Sequence, residues 1–183
     1  EPERPLPEVL PQVEAPAEID EQRFVARELT AAESAAVRGD FHLHNRRLAE
    51  ARALLEEALR LDPNLGLAHE GMGFLYLQQG ERQEAARWLD QAVNLNSQSY
   101  LAYYYHAMLA QYDPDDEGSA ARVENDLRRA IELNPDFAPA YVALSAHYGN
   151  LDEELEEACA LARKAVELEP GVVRHHLNLG SIL

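Results

Sequence analysis

"NLGLAHEGMGFLYLQQG" (residues 64–80) and "RQEAARWLDQAVNLN" (residues 82–96) decide how this chain folds. In both, apolar residues recur at intervals of three and four, which places them on one face of a helix; a strand would alternate. Gly80 separates the two segments, so they read as a pair of helices rather than one long helix. Asn96-Ser97 closes the pair. Asp62-Pro63, Asn134-Pro135 and Glu169-Pro170 do the same elsewhere in the chain.

Those recurrences form a period. Small residues stand at Gly39, Gly73, Ala107, Ser145 and Gly180, at spacings of 34, 34, 38 and 35. A second series, Ala58, Ala92, Ala130 and Ala165, runs at 34, 38 and 35. Pro63, Ser97, Pro135 and Pro170 form a third with the same intervals. Three series that agree even on where the spacing slips identify a repeat protein. An amphipathic helix pair cannot bury its apolar stripe alone, so successive pairs must stack. The small residue at a fixed place in each opening helix lets two backbones approach closely.

Composition narrows the function. The chain has 183 residues, of which 46% are apolar, enough to bury a core. Its net charge of −17 argues against nucleic acid and anionic membranes, which need Lys/Arg patches. It favours a basic or apolar partner. Cys159 is the only cysteine, so no disulfide and no cysteine-based metal site can form within the chain. No apolar run approaches the roughly 18 residues that a membrane-spanning helix needs.

The repeat resembles the tetratricopeptide family, whose signature is W-x2-L-G-x2-Y, then A-x3-F, then P over 34 residues. The second copy reads His69-x2-Met72-Gly73-x2-Tyr76, Ala85-x3-Leu89, Ser97. The fourth reads Tyr141-x2-Leu144-Ser145-x2-Tyr148, Ala158-x3-Ala162, Pro170. The first is degenerate in its opening helix but retains Ala51-x3-Leu55, Ala58 and Pro63, and the third carries four extra residues between its helices. A fifth opens as His176-x2-Leu179-Gly180. The resemblance implies an all-α, right-handed α-solenoid over residues 31–183, divided as 31–64, 65–98, 99–136, 137–171 and a partial 172–183. Ahead of it, residues 1–19 read as a Pro-rich extended arm and 20–30 as a short leading helix. Thr30 and Glu33 form the capping box that starts the array. The partial fifth copy reads as a cut within a longer array, with a lone capping helix as the alternative.

In this family the opening helix of each pair lines a concave groove where peptides bind. The stripe beside the signature positions is then the groove face: Glu70, Phe74 and Leu77 in the second copy, and Tyr104, Met108 and Gln111 with Tyr112 in the third. It continues as Val142, Ala146 and Gly149 in the fourth and Ala36, Asp40 and Leu43 in the first. The predicted peptide-binding set is Glu70, Phe74, Leu77, Tyr104, Met108, Gln111, Tyr112 and Val142, because aromatics and Met are common recognition anchors. Tyr103 reads as core, and Tyr100 and Tyr105 as packing positions. The places where family members grip a chaperone's C-terminal carboxylates hold Ala36, Asp40, Gly71, Leu101 and Tyr105, so that clamp is absent. The arm's Leu6, Val9, Leu10 and Val13 offer an internal ligand for a groove, but the arm's acidity favours a plain linker.

Residues 113–124, "DPDDEGSAARVE", approach a calcium loop, with Asp113, Asp115, Glu117 and Glu124 as candidate ligands. Glu at the fifth position, Ala120 at the eighth and the lack of a partner loop weigh against it, and a turn capped by Ser119 accounts for the segment. "HEGMG" at 69–73 has Gly73 where a zinc site needs its second histidine. No metal, cofactor or catalytic residue is assigned. The expected function is a non-catalytic protein-interaction scaffold that takes an apolar or aromatic segment, with basic character, in its groove. Two alternatives are an accessory region of a larger bacterial, peptidase-like enzyme and a homo-oligomer formed through the C-terminal helix. The expected location is the cytoplasm or periplasm of a bacterium.

Overall fold

The computed structural model describes residues 28–110, 119–151 and 155–182. Among them run nine helices: α1 (Ala31–His44), α2 (Leu48–Leu61), α3 (Gly66–Gln79), α4 (Arg82–Asn94), α5 (Tyr100–Ala110), α6 (Ser119–Leu133), α7 (Ala138–Leu151), α8 (Leu155–Leu168) and α9 (Val173–Ile182). No strand occurs among the described residues. The helices pack as pairs, α1 with α2 through α7 with α8, and each pair stacks on the next. Opening helices also meet directly, α1 on α3 and α7 on α9. The result is an all-α helical repeat solenoid.

Local signals start and stop the helices. Thr30 Oγ1 accepts the Glu33 amide (3.1 Å) while Glu33 Oε2 accepts the Thr30 amide (2.8 Å), which satisfies two otherwise orphaned donors at the start of α1. Gly80 ends α3 in the left-handed region at φ 79°, a conformation that costs glycine nothing. Asn96 adopts φ 55° after α4, where asparagine is tolerated and most residues are strained. Of the expected leading helix, residues 20–27 lie outside the described residues. Residues 28–30 are not helical, and Thr30 is the extended cap of α1.

The second helix of each pair buries one recurring apolar triplet: Ala51, Leu55 and Ala58; Ala85, Leu89 and Ala92; Val123, Leu127 and Ala130, where α6 also buries Asp126; and Ala158, Ala162 and Ala165. That spacing is one narrow stripe pressed against the opening helix. Helices α1 and α3 carry glycine where a leucine of the stripe enters, and α5 carries Ala107 with Leu127. A Cβ at Gly73 would stand 2.6 Å from Leu89 Cγ, and one at Gly71 2.5 Å from Leu55 Cδ2. Glycine weakens a helix by about 1 kcal/mol relative to alanine, so close packing is what compensates for it here.

Polar bridges tie one pair to the next. Arg52 of α2 donates to the Tyr76 hydroxyl of α3 (3.1 Å) and lies 4.9 Å from its ring centroid. Arg128 of α6 repeats the arrangement on Tyr148 of α7, donating at 2.6 Å. There the Tyr148 hydroxyl donates onward to Glu124 (2.8 Å), and Arg128 also pairs with Glu157 of α8 (3.0 Å). Burial, then the bond to Glu124, pushes the Tyr148 hydroxyl up to about 12. The bonds from Tyr148 and Arg128 hold the Glu124 carboxyl below its ordinary range. On α5 the buried His106 meets the equally buried Asp126 of α6 at 2.7 Å, so this polar pair inside the stack is satisfied.

Candidate functional site

Three opening helices, α1, α3 and α5, enclose a cavity of about 710 Å³ on the inner surface of the stack. Asp40, Leu43 and His44 reach it from α1; Leu67, Glu70, Phe74, Leu77 and Gln78 from α3; Leu101 and Tyr105 from α5. Gly80 and Arg82 border it at the α3–α4 turn. The α3 residues come together because positions three, four and seven apart share one helix face. Leu101 and Tyr105, four apart, do the same on α5. The lining is mostly apolar with a few charged groups, which suits recognition more than acid–base chemistry.

An edge-to-face aromatic chain leads away from the cavity. Phe74 meets Tyr105 at 5.8 Å, Tyr105 meets Tyr104 at 5.3 Å, Tyr104 meets Phe137 at 5.1 Å, and Phe137 meets Tyr100 at 4.8 Å between ring centroids. Such pairs hold ring orientations beyond what burial alone achieves. The chain carries the groove wall from α3 across α5 to the turn before α7. It stiffens Tyr105, which is 38% exposed and the most accessible of these rings at the cavity.

The charged groups are unevenly supported. Glu70 is half-buried, and its Oε2 accepts from the Ser97 hydroxyl at 3.2 Å. Desolvation raises its pKa, the Ser99 and Ser97 hydroxyls partly offset the rise, and the charge of Asp40 adds to it. Ser97 is itself buried, at the closing position of the repeat, and its oxygen also accepts the Ser99 amide (3.0 Å). Asp40 sits 3.3 Å from His44 on the same helix.

The structure distributes the predicted site residues as follows. Glu70, Phe74 and Leu77 line the cavity. Tyr104 does not line it. It is half-buried against Phe137 and Tyr105, and burial raises its hydroxyl pKa, with a small opposing effect from Arg174 of α9. Tyr105, read from sequence as a packing position, takes the cavity place instead. Met108 packs on the core formed by Ala107, Leu127, Leu144 and Tyr148, and Val142 on that of Ala138, Tyr141 and Ala165. Gln111, Tyr112, Asp113, Asp115 and Glu117 lie outside the described residues. Glu124 is engaged by Tyr148 and Arg128. No group of three or more acidic, His or Cys residues that could hold a metal occurs among the described residues.

Sequence reasoning did not single out Leu67, His44, Gln78 or Arg82. Leu67 was detectable, since it stands three residues before Glu70 on the same face. His44, Gln78 and Arg82 reach the cavity from helix ends, whose directions depend on the turns.

Residues 42–112 match the family model described as tetratricopeptide repeat. No curated protein matches the chain. Among solved structures, it resembles YrrB, described as a TPR protein with an unusual peptide-binding site, at 21% identity and a TM-score of 0.69, over 82% of this chain and 75% of that one. MamA from Desulfovibrio magneticus RS-1 is similar at 23% identity, TM-score 0.64, over 85% of each chain. The first TPR domain of Spaghetti (RPAP3), solved with the HSP90 peptide SRMEEVD, matches at 24% identity, TM-score 0.53, over 64% of this chain and 91% of that one. At these identities the likeness is one of fold. Taken with the helix-pair stack, the match over residues 42–112 supports the tetratricopeptide repeat as the unit from which this fold is built.

Proposed function

We propose that this protein is a non-catalytic interaction module whose α1–α3–α5 groove takes an extended peptide segment rich in apolar and aromatic residues. The cavity carries the reading: about 710 Å³, walled by Leu67, Phe74, Leu77, Leu101 and Tyr105, with ring orientations already held by the aromatic chain. A pre-ordered wall lowers the entropy lost on binding. Two structural neighbours are described with a peptide or a peptide-binding site, which supports the class of ligand without naming it.

The test is an array of N-acetylated, C-amidated dodecapeptides probed with the wild type and with Phe74→Ala/Tyr105→Ala. Wild type is expected to select apolar and aromatic sequences, and the double variant to lose about tenfold or more in affinity with its circular dichroism unchanged. Equal capture by both proteins would sink the groove reading.

Self-association is a second reading, favoured by Val173 and Leu177. They stand four apart on α9 and are 69% and 67% exposed. Sedimentation velocity across a hundredfold concentration range, with Val173→Ser/Leu177→Ser beside wild type, decides it. A concentration-independent monomer rules it out.

A further inference from the structure

The groove's charged groups say more about its occupant than its apolar wall does. Glu70 is a partly desolvated carboxylate in the cavity wall, beside a second carboxylate, Asp40. The partners that hold it are neutral, the hydroxyls of Ser97 and Ser99. Elsewhere in the fold the buried carboxylate Asp126 is matched by His106 at 2.7 Å, and the part-exposed Glu124 by Arg128 at 3.0 Å. Burying a carboxylate without a cation is unfavourable, and a second carboxylate nearby makes it more so. Two serines orient Glu70 without neutralising it. Arg82 borders the same cavity from the start of α4 and His44 lies 3.3 Å from Asp40, so the lining holds two carboxylates and one arginine.

We propose that Glu70 and Asp40 form a specificity pocket for an arginine side chain carried by the apolar peptide that the groove binds. This rests on the groove reading above and adds the residue that the groove selects. Charge complementarity calls for a cation. The surroundings call for arginine over lysine: a guanidinium is planar, weakly hydrated, donates to two carboxylates at once and stacks on aromatic faces such as those of Tyr105 and Phe74. An ammonium lacks the planar fork, does not stack on a ring in that way and loses more hydration. The chain's own net charge of −17 adds a long-range attraction for such a segment.

The experiment uses one apolar dodecapeptide chosen from the array, N-acetylated and C-amidated, with its central position set in turn to Arg, citrulline, Lys and Leu. Binding is measured by isothermal titration calorimetry to wild type, Glu70→Gln and Asp40→Asn. Glu70→Gln keeps an oxygen for Ser97, so the groove shape is retained. The Arg peptide is expected to bind wild type about tenfold or more tightly than its neutral isostere citrulline. That preference should vanish in Glu70→Gln, while the Leu peptide's affinity stays the same. If Arg and citrulline bind wild type equally, or the preference survives in Glu70→Gln, the arginine pocket is wrong and the groove reading stands. Lys binding as tightly as Arg overturns the choice of arginine. If no peptide binds, the Leu peptide included, the groove reading fails and the pocket fails with it.

Discussion

Helices α3 and α7 are the same length, start 72 residues apart and occupy the same place in the period, yet they present different surfaces. Where α3 has Glu70, Phe74 and Leu77, α7 has Val142, Ala146 and Gly149. The first set walls a cavity, whereas Val142 packs into the core beside Tyr141 and Ala165. Behind those faces the packing is solved in opposite ways. In α3 the fixed small residue is Gly73, set against the buried Leu89 of α4. In α7 it is Ser145, and the matching place in α8 is Ala162, both wholly buried. In the third pair Ala107 packs with the buried Leu127, so a leucine in the second helix admits glycine or alanine in the first, and a small residue admits serine. Ser145 then has a hydroxyl to spend on Asn178 of α9 at 2.7 Å. The comparison teaches that in these two pairs the small residue of the opening helix is sized to its neighbour in the second, while the inner face varies.

The largest test of that volume rule is Leu89→Ala, which should cost about 2–5 kcal/mol because it empties a fully buried site. Adding Gly73→Ala to it should return part of the loss, the added methyl filling the space. Urea melts of both singles and the double would expose this coupling, and strict additivity would contradict it. Next in size, Gly73→Ala alone should cost about 1–3 kcal/mol through overpacking on Leu89. Gly149→Ala, whose added Cβ meets Ile182 at an ordinary 3.6 Å, should instead gain up to about 1 kcal/mol from helix propensity. Two thermal melts decide whether the signs differ.

The polar bridges differ in the same direction. Tyr148→Phe should cost about 1 kcal/mol by breaking bonds to Glu124 and Arg128, and Tyr76→Phe less, since Tyr76 is half-exposed and bonded to Arg52 alone. Because the folded Tyr148 pKa is raised to about 12, its stabilising effect is full below the ordinary tyrosine value of about 10. It should fade as pH rises from there towards 12. Glu124 behaves oppositely. Its folded pKa is lowered, so its contribution is present above the ordinary glutamate value of about 4.3 and is lost as pH falls below it. In Tyr148→Phe both limbs of the pH–stability profile should flatten.

The smallest effect is at Glu70. A carboxyl with a raised folded pKa stabilises the fold in its protonated form, so that contribution is full below about pH 4.3 and lost as pH rises through the folded value. At neutral pH that contribution is reduced, and Glu70→Gln should stabilise the fold slightly, by no more than about 1 kcal/mol. The gain should disappear in acid. A variant that is destabilised at pH 7 would show that Glu70 is structural rather than held in reserve for a ligand.

Much of this molecule was legible as a linear pattern. The period of 34 with its one slip, the Thr30/Glu33 box, the break at Gly80 and the three-residue stripe of each second helix all follow from local chemistry and helical spacing. Glu70, Phe74 and Leu77 could be placed on one face for the same reason. Tyr104 and Tyr105 could not be told apart. Adjacent residues differ by about 100° around a helix, and either can face a groove depending on how the helix is rolled against its neighbours. Phe137, which enters from the turn before α7, takes Tyr104 at 5.1 Å and leaves Tyr105 to the cavity.

The sequence by itself determined the helix pairs, their stacking and the small residue at a fixed place in each opening helix, because those depend on spacing along one chain. Only the tertiary structure decided which ring lines the cavity and that Glu70 is partly withdrawn from water and held by serine hydroxyls. Both depend on side chains far apart in sequence, Phe137 in one case and Asp40 with Ser97 and Ser99 in the other, which the superhelix brings together.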